Sequence, residues 1–357
     1  MSSKHIVIIP GDGIGTEITA EALRVSQAAA EKCRVAFTYE NKQAGGAAID
    51  ACGVPLPEDT IEACRQADGV LLGAVGGPKW DQVAPELRAE KAILGLRKSL
   101  GLYANLRPVK VFSALAGQSP LKPEIVKTVD ILIVRELNGG IYYGTRREAA
   151  VVNGIEQACD NEMYSRPEIE RIVRLACQAA AGRKGRVVSV DKANVLATSR
   201  LWRKVANEVA ADFSQVEISH MYVDNCAMQL VLNPGSFDVI VTGNLFGDIL
   251  SDEAAVLSGS IGLLPSASLG DGTGLYEPIH GSAPDIAGKG LANPLGTILS
   301  AAMMFRYSLG SNQVADMIED AVEQVLADGY RTADIYQPGF TRVTTEEMGQ
   351  QVIARLK

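Results

Sequence analysis

Histidine is scarce in this chain, with only His5, His220 and His280 among 357 residues. A centre built on imidazoles has almost no ligands to draw on, so any metal here must be a hard cation held by oxygen. The six cysteines (Cys33, Cys52, Cys64, Cys159, Cys177 and Cys226) are scattered, without a Cys-x-x-Cys pair. That pattern argues against a zinc ribbon and a disulfide framework, and reads as a reduced, cytoplasmic protein. No apolar stretch approaches the ~20 residues a membrane helix needs. Met1-Ser-Ser-Lys runs directly into Ile6-Val-Ile-Ile9, too short a lead for a signal-peptide core. Excess positive charge is also missing: Lys and Arg total 34, Asp and Glu 42, and the net charge is −8. A nucleic-acid binder draws its affinity from clustered cations, so that class is disfavoured. The Gly-x-x-x-x-Gly-Lys-Ser/Thr loop of phosphate-transferring nucleotide enzymes is absent as well.

What is present fits a soluble α/β enzyme. The length exceeds the roughly 250–300 residues at which one core stops growing, which predicts two domains. Short apolar runs at 6–9, 70–72, 131–134, 187–190 and 239–241 each end at a polar or Gly-rich turn leading toward a helix. Such runs are the mark of buried strands, and ligands in these sheets sit beyond the strands' carboxyl ends. Near the C-terminus Val314, Met317, Ile318, Ala321, Val322, Val325 and Leu326 recur at helical spacing, and Gly329 closes the run. Thr344 with Glu347 predicts a capping box opening a last helix. No repeat or low-complexity linker interrupts the chain, and composition marks no domain boundary.

Ile9-Pro-Gly-Asp-Gly-Ile-Gly15 follows a strand and invites comparison with a dinucleotide fingerprint. Its spacing is Gly-x-Gly-x-Gly rather than Gly-x-Gly-x-x-Gly, so a tight strand-to-helix turn is the better reading. Arg97, Arg107 and Arg135 are stronger signals. Arg135 emerges from the buried run 131–134, where a guanidinium grips either a ligand's carboxylate or phosphate or a structural partner such as Glu136 or Asp130. Glu90, Ile93, Leu94 and Arg97 fall at i, i+3, i+4 and i+7 and share a helix face. A carboxylate held by Arg97 would therefore lie beside a branched apolar surface, although Ile93 also has spacing suited to the core.

Asp248 and Asp252 lie four apart in Phe246-Gly-Asp-Ile-Leu-Ser-Asp252, where like charges stacked on a helix repel. A bound divalent cation explains the pair better than the helix dipole does. Asp224 interrupts an apolar segment; alone it reads as a cap, while with the pair it completes an all-oxygen Mg²⁺ or Mn²⁺ site. Lys192 follows the run 187–190 and is either reaching for solvent or a general base whose neutral form a nearby cation would favour. Tyr142, seven residues past Arg135, is a candidate acid. Leu275-Tyr-Glu277-Pro-Ile-His280-Gly-Ser-Ala-Pro284-Asp-Ile-Ala-Gly288 suits a dinucleotide: Pro284 predicts a short helix whose amides face an anion. Asn293-Pro294 reads as an N-cap and first-turn proline of a helix through Met303. Asp334 is suited to accept from a ribose 2′-hydroxyl and to repel a 2′-phosphate, which favours NAD over NADP.

Taken together these segments resemble the isocitrate/isopropylmalate dehydrogenase family of metal-dependent β-decarboxylating dehydrogenases. The likeness runs from Gly11-Asp-Gly-Ile-Gly15 to the Asp334 region, and its most specific stretches are Asn244-Leu-Phe-Gly-Asp-Ile-Leu-Ser-Asp252 and Gly274 to Gly288. The resemblance implies a two-domain α/β fold that is not a Rossmann domain. Its first domain would comprise 1–103 and 259–357 on the cofactor side, and its second 104–258 with the metal and substrate residues. It implies an oxidoreductase that uses NAD and Mg²⁺ or Mn²⁺ to oxidise and decarboxylate 3-isopropylmalate to 4-methyl-2-oxopentanoate in leucine biosynthesis. The alternatives are related hydroxy-diacids: D-malate, tartrate, isocitrate or homoisocitrate.

By the same resemblance Arg97, Arg107 and Arg135 bind the malate carboxylates, with Asp224 also at the substrate, and Glu90, Ile93 and Leu94 face its side chain. Asp224, Asp248 and Asp252 hold the cation, and Tyr142 and Lys192 are the acid and the base. NAD would lie against Gly76, Gly77, Pro78, Glu277, His280, Gly281, Ser282, Ala283, Pro284, Asp285, Ile286, Ala287, Asn293 and Asp334. The family forms homodimers, which implies Lys192 and Asp224 reaching across the interface and a dimer arm at 148–163. Burying an isopropyl group against Ile93 and Leu94 would contribute roughly 1–3 kcal/mol of discrimination, and Glu90 would repel a third carboxylate. A non-catalytic regulatory subunit, also known in this family, would be expected to lack some of these groups, and all are present.

Overall fold

All five β-branched or apolar runs lie in strands: Lys4–Gly11, Gly69–Ala74, Asp130–Glu136, Arg186–Asp191 and Val239–Thr242. Each has parallel neighbours, so both faces are covered and the sequence has no reason to alternate. The structure is a computed structural model that describes residues 4–357. It divides into two units, one comprising the residues up to Leu102, Phe112–Pro120 and Ser258–Lys357, the other Tyr103–Val111 and Leu121–Leu257. The sequence expectation kept 104–258 together. Phe112–Pro120 instead joins the first unit, where the Ala114 carbonyl accepts from Arg331 and Gln118 donates to the Ile335 carbonyl.

In the first unit the strand order is Phe37–Asn41, Lys4–Gly11, Gly69–Ala74, Gly274–Pro278, Pro265–Leu269. The first four run parallel and the last closes an antiparallel hairpin. Helices Gly15–Lys32, Leu295–Tyr307, Asn312–Ala327 and Thr345–Ile353 pack together in this unit. Leu295–Tyr307 is buried on every side over Leu295 to Phe305, so its apolar residues show no stripe. The helix begins one residue later than expected, with Pro294 rather than Asn293 at its N-cap; Asn293 accepts from the Leu295 amide at 3.0 Å, and the helix runs past Met303 to Tyr307. In Asn312–Ala327 the expected face is buried, and Gly329 follows at φ +90°, a conformation that favours glycine. The Thr344–Glu347 capping box is formed.

The second unit orders its strands Ala104–Lys110, Asp130–Glu136, Val239–Thr242, Arg186–Asp191, Glu217–Tyr222. Only the first pairing is antiparallel, so four carboxyl ends meet at one edge. Helix Arg166–Ala181 starts at a Ser165–Glu168 capping box and packs against Ala197–Ala210 and the sheet. Val223–Leu232 packs on Asn244–Ala255. The strands Arg146–Val152 and Ile155–Asp160 form a separate two-stranded hairpin, turned by Asn153 and Gly154 at φ +53° and +78°. Among the described residues no helix is long and apolar enough to cross a membrane.

Candidate functional site

In the second unit the chemistry gathers at the carboxyl edge of the sheet, where parallel strands release their last residues. Arg135 ends one such strand, and the neighbouring strand Val239–Thr242 turns at Gly243 into helix Asn244–Ala255. That turn brings Asn244 and Asp248 onto Arg135. The Asn244 Oδ1 accepts from the Arg135 Nε and Nη2 at 3.1 and 2.8 Å, and Nη1 donates to Asp248 Oδ1. Arg135 is buried, so its charge is satisfied by a carboxylate and an amide oxygen rather than by water. Of the structural partners left open by the sequence, neither holds it. Glu136 turns to the amides of Asn138 and Gly139 and toward Arg171, and Asp130 pairs with Arg183.

Arg107 lies in the adjacent antiparallel strand. Its Nε donates to Asn105 Oδ1 at 2.8 Å, and its Nη1 to Ser251 Oγ at 2.7 Å and Asp252 Oδ1 at 3.0 Å. Asp248 and Asp252, one turn apart, are thus each matched by an arginine, which relieves the repulsion expected between them. Tyr142 donates its hydroxyl to Asp248 Oδ2 at 3.1 Å. Partial burial, and then the Asp248 carboxylate, hold the Tyr142 hydroxyl above its ordinary range, so it keeps its proton at neutral pH.

Lys192 pairs with Asp224 at 2.8 Å, and this hydrogen bond holds the Asp224 carboxyl below its usual value. Asp224 does not stand with Asp248 and Asp252 within one chain. Among the described residues no three His, Cys, Asp or Glu side chains are grouped to hold a metal. The three-aspartate site read from the sequence is therefore not assembled by a single copy; Asp224 belongs to helix Val223–Leu232 and is held by Lys192 instead. Asp248 and Asp252 remain paired carboxylates whose oxygens suit a hard divalent cation.

The first unit holds the other predicted residues. Arg97 pairs with the buried Glu277 at 3.1 Å, linking the expected substrate arginine to a residue expected at the cofactor. Helix Lys91–Ser99 begins just after Glu90, its exposed N-cap. Ile93 packs against the buried cluster around Ala92 and Leu96, whereas Leu94 stands 46% exposed. Of the two apolar residues, Leu94 offers the larger free surface, and Ile93 is partly buried.

Pro284 does not open a helix. Residues 284–290 form successive turns, with Gly288 and Gly290 at φ +71° and +64° preventing a continuous helix. Ala283, Ile286 and Ala287 pack on Ile14, Ile18 and Ala292, while Gly281, Pro284 and Asp285 are exposed. Ser282 donates to the Gly76 carbonyl at 2.7 Å, next to Gly77 and Pro78. The His280 Nδ1 lies 2.9 Å from the Gly281 carbonyl and its Nε2 is buried without a partner; burial pushes its pKa down, so the ring is neutral at pH 7. Asp334 is engaged by three side chains, Ser260 Oγ at 2.5 Å, Thr332 Oγ1 at 2.6 Å and Asn293 Nδ2 at 3.1 Å. A carboxylate offers about four acceptor positions, so one remains for a further hydroxyl.

Sequence reasoning missed Asn244, Asn105 and Ser251. Asn105 had a signal, since it lies two residues before Arg107 on the same face of a strand. Ser251 likewise lies one helical turn from Asp248. Asn244 carried none, because its partner Arg135 is 109 residues away in sequence.

A family model described as isocitrate/isopropylmalate dehydrogenase matches residues 5–352. The 3-isopropylmalate dehydrogenase of Halalkalibacterium halodurans is 56% identical over 355 residues, covering 99% of this chain and 98% of that relative. That of Clostridium acetobutylicum is 57% identical and both chains are covered completely. Among solved structures, isocitrate dehydrogenase from Methylococcus capsulatus superposes with a TM-score of 0.86 at 35% identity, with 99% of each chain covered. The apo β-decarboxylating dehydrogenase of Thermococcus kodakarensis gives 0.83 at 40%, covering 99% of this chain and 96% of the other.

Proposed function

The chain belongs to the isocitrate/isopropylmalate dehydrogenase family, and from that premise we infer its reaction: oxidation and decarboxylation of 3-isopropylmalate in leucine biosynthesis, with NAD. One observation carries the reading. Two arginines and two aspartates interlock at one sheet edge, Arg107 with Asp252 and Arg135 with Asp248, with Tyr142 on Asp248. The four charges cancel. A diacid brings two negative charges and a divalent cation two positive ones, so cation and substrate together keep the site neutral, whereas either alone leaves it charged.

Mg²⁺ or Mn²⁺ fits the oxygen donors of Asp248 and Asp252, with Asp224 supplied by the second subunit of a homodimer. Bound there, the cation supplies charge stabilisation at the substrate's oxygens, and NAD supplies a hydride acceptor. Arg107 and Arg135 grip the malate carboxylates, a role the same reading gives to Arg97. Lys192, also from the partner, removes the proton of the 2-hydroxyl as the hydride leaves carbon 2. The resulting 2-oxo group lies β to the carboxylate on carbon 3, which departs as CO₂. Tyr142, its proton retained beside Asp248, protonates the carbon that lost the carboxylate. Leu94 faces the isopropyl group.

NAD would be held by Gly76, Gly77, Pro78, Glu277, the 280–287 loop and Asn293, with Asp334 accepting from its ribose hydroxyl. The first domain is thus the cofactor side and the second the metal and substrate side. Apolar side chains left exposed on one copy support the homodimer: Met228, Val231 and Leu232 on one helix, Ile249 at 58% on the next, and Val151 and Ile155 on the hairpin. A lone two-stranded hairpin is marginal in water, which favours a partner for it. A biosynthetic enzyme of this kind with reduced cysteines belongs in the cytoplasm. The test is NADH formation from 3-isopropylmalate beside isocitrate and D-malate. Turnover highest with 3-isopropylmalate supports the reading, and preference for isocitrate overturns it.

A further inference from the structure

The glycine-rich turn at 11–15 has no place in the reaction so far, yet it carries a carboxylate with an unusual environment. Asp12 is 4% exposed. Its Oδ2 accepts from the Gly46 and Gly76 amides, both at 2.8 Å, and its Oδ1 from the Ala47 amide at 2.7 Å. Among the described residues no lysine or arginine pairs with it. Burying a carboxylate without a cation is costly, and three amide donors are what make it tolerable. Two of the amides open helix Gly46–Cys52, 34 and 35 residues away in sequence, and the third belongs to the Gly76 loop, 64 residues away.

Gly76 is held from both sides. Its amide donates to Asp12, and its carbonyl accepts from Ser282 Oγ at 2.7 Å. The Ser282 carbonyl in turn accepts from the Ile14 amide at 2.8 Å, two residues beyond Asp12. Asp12, Gly76, Ser282 and Ile14 therefore close a ring of hydrogen bonds. The approach is too tight for side chains: a Cβ on Gly13 would lie 2.0 Å from the Ser282 carbonyl, and one on Gly45 2.6 Å from Asp12 Oδ2. Gly13, Gly45 and Gly76 have φ of +57°, +77° and +105°. The glycines serve this junction, and a pyrophosphate is not what approaches them.

We propose that Asp12 is a positioning residue for the dinucleotide, its carboxylate setting the Gly76 loop and the Ser282 loop against each other before NAD arrives. The proposal rests on the cofactor reading above, which places both loops on NAD. Fixing two loops in advance lowers the ordering cost of binding, so its loss weakens affinity for NAD. The carboxylates of the substrate are gripped elsewhere, so their affinity is unaffected.

The test compares Asp12→Asn, Ser282→Ala and the double variant, each checked for its Tm. NADH binding is titrated by fluorescence without substrate, and both Michaelis constants are measured. In Asp12→Asn the new NH₂ faces at least one amide N–H whichever way it turns. The Kd for NADH and the KM for NAD then rise about tenfold, the effect of losing a buried hydrogen bond. The KM for 3-isopropylmalate stays within about twofold of wild type. Ser282→Ala weakens NADH binding by about fivefold, and the double variant is no weaker than Asp12→Asn, because the ring is already open. NADH affinity unchanged in both single variants overturns the proposal, as does an equal rise in both Michaelis constants. Should Asp12→Asn fail to fold, hydrogen exchange of the wild type decides: a Gly76 amide already protected without NADH supports the proposal, and protection that appears only with NADH overturns it. A wild-type protein that does not bind NADH overturns the cofactor reading as well, which separates the two failures.

Discussion

Replacing Leu94 by serine tests the proposal that its surface distinguishes an alkyl-substituted malate from its smaller relatives. Leu94 lies on helix Lys91–Ser99, three residues before Arg97, and is 46% exposed. Burying a whole leucine side chain contributes roughly 1.5–3 kcal/mol, so a little under half of it provides about 0.7–1.4 kcal/mol against an isopropyl group. A factor of ten corresponds to about 1.4 kcal/mol, so Leu94→Ser lowers the kcat/KM ratio of 3-isopropylmalate over D-malate by roughly three- to tenfold. The loss falls on 3-isopropylmalate, because D-malate has no alkyl group to bury. The fold is spared, since Leu94 lies outside the core. Ile93, its neighbour, packs against Ala92 and Leu96 and is the control: Ile93→Asn lowers Tm by placing a polar group against buried apolar side chains. Steady-state kinetics on the two substrates decide the matter. A ratio unchanged by Leu94→Ser, in a protein that melts normally, refutes the placement of this face on the substrate.

Asp252→Asn removes an oxygen charge and raises the Mg²⁺ concentration for half-maximal activity by about tenfold or more, measured by titrating metal into EDTA-treated protein. Tyr142→Phe and Lys192→Met each lower kcat by about 10²–10⁴ while the protein still binds NADH. Mixing and reassociating those two inactive variants restores about a quarter of wild-type activity, because half the dimers are mixed and each carries one intact site; no recovery means that each subunit uses its own lysine. Burial holds the folded His280 and His220 below the ordinary value of 6.5. Below pH 6.5 the unfolded chain takes up protons that the folded chain does not, so stability falls with pH from there toward the folded values and is retained above. Tm followed from pH 7.5 to 5.5 drops, and His280→Gln reduces the drop; an unchanged slope refutes a neutral buried ring.

The regular elements were legible because local physics specifies them. The run 187–190 could only be a strand covered on both faces, and Thr344 with Glu347 is a cap whatever surrounds it. Asp248 and Asp252 were legible through a local conflict, two like charges one helical turn apart. Their partners were not, because Arg107 lies 145 residues from Asp252 and only the sheet's crossover connections bring them together. Pro284 failed as a helix signal because positive φ at Gly288 and Gly290 outweighs one favourable first-turn residue. Ile93 and Leu94 were given one face from spacing alone, and packing separates them. Asp12 was dismissed with its glycines because a turn and a junction between loops look alike in sequence. Only the Gly46 and Gly76 amides reveal the difference.

The central claim, that paired aspartates and arginines hold a hydroxy-diacid beside a divalent ion for oxidation by NAD, is tested most directly by following NADH absorbance. Protein freed of metal with EDTA is given NAD and 3-isopropylmalate, then Mg²⁺ or Mn²⁺. NADH that appears only after the cation is restored, and that Asp248→Asn abolishes, is the expected result. Full turnover in EDTA, or undiminished turnover by Asp248→Asn, contradicts the account.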